Sequence, residues 1–320
     1  MIERMEATIS NTAESMLHTI GHTPLVQLRK VVAGGTARVL VKLEGANPTG
    51  SMKDRMARAM ISRAEADGRL PPGRAVVEFT GGSTGTSLAF VCAAKGYPLH
   101  LVSSDAFSQE KRDHMQAFGA ELTIVPSDGG YVTKDLFVRM REATDRIVAG
   151  YGAFWTDQFN NDDQVAGYEQ MADEIWAQAG RRVDAFVHVV GTCGSLRGTS
   201  VRLRSLNSRL RVVAVEPAES AVLSGGAPGA HQIEGTGTGT IVPHWHPSLA
   251  DEIMTVSTGA AKEMARRLAR EEALFGGTST GANVAAALRV AEQLGPGATV
   301  VTVNVDTGLK YLSTDVFRGR

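Results

Sequence analysis

The chain has 320 residues, with 33 Lys and Arg against 34 Asp and Glu, and 43% of it is apolar, enough for a large buried core in one large domain or two closely packed ones. A net charge of −1 gives no electrostatic footprint for nucleic acid or an anionic membrane, and no stretch approaches the run of about 20 apolar residues that a spanning helix needs. The two cysteines, Cys92 and Cys193, support neither a disulfide framework nor a metal site, so a reducing cytoplasm is the expected compartment.

In chain order, the first 16 residues carry Glu3, Glu6 and Glu14 without an apolar stretch. They do not read as a signal peptide and are expected to form a frayed or dimer-clasping arm. A strand is predicted over 38–44, a helix over 53–66, a strand over 75–79 and a helix over 86–95. Strand 99–103, helix 109–118 and strand 121–125 follow, then helix 163–179 and strands 185–190 and 211–216. Helix 258–271, helix 282–293 and strand 299–305 complete the pattern. Near-continuous apolar strands separated by helices predict an α/β fold with parallel-rich sheets covered on both faces. Ligands in such folds sit where strands turn into helices. The Gly-dense stretch 224–239 has apolar flanks and is expected to be a packed loop rather than a tether.

Four strand-to-helix turns carry the chemistry. In Asn47-Pro48-Thr49-Gly50-Ser51-Met52-Lys53-Asp54-Arg55, Ser51 is an N-cap candidate that puts Lys53 in the first turn of a helix. The positive end of the helix dipole there favours a neutral amine, as an imine-forming lysine requires. Position alone favours a solvated helix lysine, and it is the neighbouring glycine- and hydroxyl-rich turn that reverses this reading. Thr80-Gly81-Gly82-Ser83-Thr84-Gly85 follows a strand with bare amides and hydroxyls at a helix N-terminus, a receptor for a carboxylate or phosphate. Gly191-Thr192-Cys193-Gly194-Ser195 suits a phosphate dianion, and its spacing is not the dinucleotide fingerprint. Cys193 lacks a His and Asp arrangement to make it a nucleophile. Gly276-Gly277-Thr278-Ser279-Thr280-Gly281 opens the helix over 282–293. His188, inside an apolar strand, reads as a satisfied core residue, and His244 and His246 as members of a surface loop rather than a metal pair.

These turns, together with Ile20-Gly21-His22-Thr23-Pro24-Leu25 and Asp306-Thr307-Gly308-Leu309-Lys310-Tyr311-Leu312-Ser313, resemble the cysteine synthase and cystathionine β-synthase family over nearly the whole chain. These are pyridoxal-5′-phosphate (PLP) enzymes of the tryptophan-synthase-β-like fold, PLP fold type II. The resemblance implies two α/β domains: a larger one from 1–46 and 158–320, and a smaller mobile one from 47–157 carrying Lys53 and the carboxylate loop. It makes Lys53 the lysine that holds PLP as a Schiff base and acts as base at Cα. Thr80, Gly81, Gly82, Ser83 and Thr84 match the substrate-carboxylate loop, with Gln158 as a second contact and Gly235 at the substrate mouth. Gly191, Thr192, Cys193, Gly194 and Ser195 match the phosphate cradle, and Ser279 the hydroxyl facing the pyridine nitrogen. No metal is implied.

The implied reaction is β-replacement on an activated L-serine by sulfide or another thiol in a homodimer. Alternatives are β-elimination, as in a cysteine desulfhydrase or serine/threonine deaminase, and a non-catalytic relative. A neutral Ser279 favours expulsion of a β-substituent over transamination. The chain departs from the family's T-S-G-N-T-G loop with Gly81 for Ser and Ser83 for Asn, an Asn that reaches the cofactor's ring oxygen. Cys193 replaces Gly, and Thr240 stands where an aromatic residue is common. The volume removed at 81 and 83 is expected to admit a larger β-substituent.

Overall fold

The computed structural model describes residues 13–130 and 133–318, so most of the acidic N-terminal arm lies outside the described residues. The chain runs through β1 (Leu25–Gln27), β2 (Arg38–Leu43) and α1 (Lys53–Ala66). It continues through β3 (Val76–Phe79), α2 (Ser83–Lys95), β4 (Leu99–Ser104), α3 (Gln109–Ala117), β5 (Glu121–Val125), α4 (Lys134–Tyr151) and β6 (Phe154–Trp155). Then come α5 (Asp163–Gln178), β7 (Ala185–Val189), α6 (Gly194–Leu206), β8 (Arg211–Pro217), β9 (Glu252–Val256), α7 (Thr258–Glu271), α8 (Thr278–Leu294) and β10 (Thr299–Asn304).

Two sheets result, a six-stranded one in the order β1-β2-β10-β7-β8-β9 and a four-stranded one in the order β5-β4-β3-β6. Every pairing is parallel except β1 against β2. The apolar sequences of β7 and β10 follow from their central places, since every residue of each is buried. The edge strand β1 is half exposed instead. All strands of the smaller sheet come from the segment 47–157, and all strands of the larger from the rest. Helix α1 packs against both α2 and α5, so it bridges the two sheets.

The predicted helices over 53–66 and 258–271 coincide with α1 and α7. Two others begin three to four residues earlier than read, α2 at Ser83 and α8 at Thr278. Their Gly- and hydroxyl-rich first turns look like loops, yet the backbone is already helical there. The short β1 and β6 were not expected, because two or three residues carry no readable alternation. Neither were β9 and α4, although α4 buries Leu136, Met140, Ala143 and Thr144 at helical spacing. The 224–239 stretch is a loop whose first part, 224–230, is exposed, contrary to the expected packing, whereas Ile233 and Thr236 are buried and a Cβ on Gly237 would meet Pro217 and His231.

Beneath α1, Arg55 is fully buried between two carboxylates. It donates from Nε and Nη2 to Glu44 at 2.7 and 2.8 Å, and from Nη1 and Nη2 to Glu174 at 2.8 Å each. Lys42 donates to Glu174 at 2.6 Å, so two cations balance two anions. Burial works to raise the Glu174 carboxyl, but Arg55 and then Lys42 hold it down at about 2. This cluster ties the first turn of α1 to β2 and α5.

Candidate active site

The lysine turn is pinned to the carboxyl end of β10. Met52 N–H donates to the Val305 carbonyl at 2.9 Å, and Thr307 N–H to the Gly50 carbonyl at 2.9 Å. Asp54 folds back to accept from Thr49 N–H at 2.8 Å and Thr49 Oγ1 at 2.5 Å, which closes the turn. Ser51 is not the helix cap; Met52 is, and the Ser51 hydroxyl accepts from Lys53 N–H at 3.2 Å. Lys53 is therefore the first residue of α1, as its dipole argument requires. Its side chain is half-buried, and its amine makes no hydrogen bond among the described residues. Burial lowers its pKa from 10.5 to about 8, with the Asp306 carboxylate opposing and the Lys310 cation assisting.

The 80–85 turn leaves the carboxyl end of β3, with Thr80 Oγ1 accepting from Gly82 N–H at 3.1 Å. No side chain caps α2, so its first amides are open to a ligand. Gln158 stands behind the turn, accepting from Thr84 Oγ1 at 2.8 Å and donating to the Phe79 carbonyl at 3.2 Å. Gln158 is positioned in turn by Glu78, which accepts from its N–H at 3.0 Å and from Thr156 and Trp155. Burial pushes the Glu78 carboxyl up to about 7 against those hydrogen bonds.

The departures at 81 and 83 do not open space. A Cβ on Gly81 would overlap the Phe107 ring, so Phe107 occupies the volume a side chain would take. The Ser83 hydroxyl accepts from Lys310 Nζ at 3.1 Å. The expectation of a vacated pocket is therefore corrected: an aromatic ring and a second lysine fill the two places. Lys310 itself lies between Asp306 and Asp54, and burial lowers its pKa against their charge. Thr49, Gly50, Thr86, Lys111, His114 and Lys310 help line a cavity of about 390 Å³ beside the lysine turn.

The 191–195 turn leaves β7 and enters α6, again without a side-chain cap. Gly191 is required because a Cβ there would overlap the Gly235 carbonyl, and Gly194 because one would overlap Gln164. Thr192 Oγ1 donates to that same Gln164 at 3.0 Å. Cys193 adopts φ +70°, a left-handed conformation that explains why glycine suits this position. Burial pushes its thiol up to about 12, so it is no nucleophile at neutral pH. Ser195 Oγ lies 2.8 Å from His188 Nε2.

The fourth turn, at the start of α8, also lacks a side-chain cap. A Cβ on Gly277 would overlap Tyr311, whose hydroxyl donates to Asp306 at 2.8 Å. Buried Ser279 lies on this turn beside Tyr311. Thr278 Oγ1 accepts from Glu234 N–H at 3.1 Å, bringing the Gly235 loop, with Gly235 at φ +76°, against both this turn and the 191–195 turn. All the sequence-derived candidates thus gather at the carboxyl ends of β3, β7 and β10. Phe107 joins them unannounced, because a loop aromatic carries no spacing signal, and Asp306, Lys310 and Tyr311, which belong to the 306–313 stretch of the resemblance, join them without a role assigned from sequence. His244 is buried rather than on a surface loop, contacting Gln164 and Arg197 at 2.9 and 3.1 Å, and no metal-binding group occurs among the described residues.

A half-buried lysine with a depressed pKa, in a turn pinned beside three uncapped helix N-termini rich in small residues and hydroxyls, is what an amine-linked phosphate cofactor requires. The family model for pyridoxal-phosphate dependent enzymes matches residues 16–306, and the chain belongs to that family, in its cysteine synthase branch. It is 42% identical over 306 residues to a cysteine synthase of Staphylococcus aureus (strain N315), covering 95% of this chain and 97% of the relative. It is 39% identical over 307 residues to an O-ureido-L-serine synthase of Streptomyces lavendulae, covering 95% and 93%. The crystal structure of a cysteine synthase from Entamoeba histolytica superposes with a TM-score of 0.91 at 35% identity, over 100% of this chain and 95% of that one. The fold is accordingly the type II PLP fold, and the cofactor is PLP.

The residues fit that group. Lys53 has an amine of the kind such a link needs, the uncapped α6 terminus with Gly194 and Ser195 suits a phosphate, and buried Ser279 offers a neutral hydroxyl. No helix among the described residues is long and apolar enough to cross a membrane.

Proposed function

We propose that this enzyme replaces the β-substituent of an activated L-serine, such as an O-acyl ester, with a sulfur nucleophile to give cysteine or a thioether. The observation that carries this reading is Lys53 at the head of α1, its amine held near 8 by burial and by Lys310, which itself donates to Ser83 at the uncapped start of α2. The cysteine synthase and O-ureido-L-serine synthase names of its relatives, both β-replacement enzymes, support it.

Bound through Lys53, PLP supplies an electron sink for charge developing at the substrate Cα. The chain's own groups do the rest. The amides of Gly81 and Ser83, with the Thr80 hydroxyl, bind the substrate carboxylate, while Gly82 N–H is held by Thr80 Oγ1 and the Thr84 hydroxyl by Gln158, so both shape the turn. Once the substrate's amino group has taken its place and freed it, Lys53 Nζ would take the α-proton as the β-substituent departs with its bonding electrons, then return a proton to Cα once sulfur has added to Cβ. Gly191, Thr192, Cys193, Gly194 and Ser195 would hold the cofactor phosphate, Ser279 would meet its ring nitrogen, and Gly235 would line the mouth. The segment 47–157 acts as a smaller mobile domain that closes over substrate and excludes water. The working form is a cytoplasmic homodimer.

The test is a donor panel of O-acetylserine, serine, O-phosphoserine, cysteine and threonine, each with and without sulfide. A sulfide-dependent thiol product from an activated serine is expected. Pyruvate or a 2-oxoacid formed at the same rate with or without sulfide would make the enzyme a β-eliminating lyase instead.

A further inference from the structure

His188 occupies the centre of β7, fully buried, and the groups around it fix where its hydrogen sits. Asn283, on α8, accepts from Val189 N–H through Oδ1 at 2.7 Å and donates from Nδ2 to the Val303 carbonyl at 2.8 Å. Those two bonds set the amide's orientation. Its second Nδ2 hydrogen then meets His188 Nδ1 at 3.2 Å. A nitrogen that faces a donor must be bare, so the single hydrogen of the neutral ring is on Nε2, an assignment that follows from the hydrogen-bond network. Nε2 therefore donates to Ser195 Oγ at 2.8 Å. Burial, then the nearby charge of Lys53, hold the His188 pKa down at about 3, which keeps the ring neutral.

Ser195 is the second residue of α6, so the carbonyls three and four residues before it, on Thr192 and Gly191, lie in the turn and not in the helix. With its oxygen already accepting from His188, its hydrogen is left for an acceptor in the turn. We propose that His188 is a positioning residue for cofactor binding: held by Asn283, it aims the Ser195 hydroxyl hydrogen at the cofactor phosphate. This rests on the assignment of the 191–195 turn as the phosphate cradle. Asn283 lies one helical turn beyond Ser279 on α8, at a spacing that puts both on one face. A single helix thus carries the ring-nitrogen contact and the support of the phosphate contact.

The test compares the holoenzyme with His188→Leu, His188→Gln, Ser195→Ala and the His188→Leu/Ser195→Ala pair. Cofactor dissociation and the 31P resonance of the bound phosphate are measured. Loss of one hydrogen bond to a charged group should weaken cofactor retention about tenfold or more in His188→Leu and in Ser195→Ala. The double variant should be no weaker than either single one, and His188→Gln, which keeps an N–H donor, should recover part of the loss. A His188→Leu protein that retains cofactor like wild type while Ser195→Ala loses it would overturn the relay and leave the phosphate site standing. If Ser195→Ala also changes neither retention nor the 31P signal, the phosphate assignment falls with it. Should His188→Leu not fold, 15N spectra of histidine-labelled wild-type holoenzyme decide the tautomer. The resonance missing from His188→Gln should show a protonated Nε2 and a bare Nδ1, and a protonated Nδ1 would refute the proposal.

Discussion

Replacing Arg55 with leucine removes the one cation that two buried carboxylates share at the foot of the lysine helix. The side chains of Arg55 and Glu44 are fully buried and that of Glu174 is 10% exposed, and four hydrogen bonds of 2.7–2.8 Å join them. With Arg55 gone, Lys42 alone faces two carboxylates, so one buried negative charge is uncompensated. Breaking such a pair from one side costs about 3–5 kcal/mol. At about 2.1 cal/mol/K of unfolding entropy per residue, a chain of 320 residues loses about 4–7 °C of Tm for that cost. The loss should depend on pH. In the wild type Glu174 sits at about 2, below its unfolded value of about 4.3, so its stabilisation is present above that value and fades as pH falls toward 2. In Arg55→Leu the unpaired carboxylates are instead easier to protonate in the folded state than in the unfolded one. The variant should therefore recover stability relative to wild type as pH falls from 7 to 5. Calorimetry of both holoenzymes at the two pH values measures this. A Tm within about 1 °C of wild type at pH 7, or a gap that widens at pH 5, would refute the reasoning.

Cys193→Gly relieves a left-handed conformation and should leave the enzyme as stable or up to about 1 kcal/mol more stable by urea unfolding, while a thiol reagent at pH 7 should label neither buried cysteine of the native wild type. Lys310→Met removes a cation that helps keep Lys53 neutral, so the pH midpoint for cofactor incorporation into apoenzyme should move up from about 8; an unchanged midpoint would mean that Lys310 does not act on Lys53. Gly81→Ser must displace the Phe107 ring and should lower kcat/KM on every donor, whereas Phe107→Ala should widen tolerance for bulky β-substituents; the donor panel reads both.

What could be read in the sequence was whatever local chemistry advertises. An open helix N-terminus that receives an anion needs small residues and hydroxyls at consecutive positions, so the turns at 80–85, 191–195 and 276–281 stand out as strings of Gly, Ser and Thr. The long apolar runs of β7 and β10 are equally plain, because a strand buried on both faces has little freedom in composition. The groups that complete the site are products of tertiary folding. Lys310 is 257 residues from Lys53 and looks like any lysine until β10 returns its loop to the turn that pins Lys53. Phe107 fills the space at Gly81 from a loop that carries no periodicity. His188 reads as core because it is core, and only its contacts with Asn283 and Ser195 reveal a direction to its hydrogen. The short β6 and the helix-bridging role of Arg55 escape for the same reason.

The most direct measurement is borohydride reduction of the yellow holoenzyme, followed by mapping of the modified peptide. The cofactor should be fixed to Lys53, with Lys53→Ala taking up no reducible label though its phosphate turn is intact. A label on Lys310 or Lys111, which line the neighbouring cavity, or on any other lysine would contradict the assignment of the catalytic amine and the chemistry built upon it.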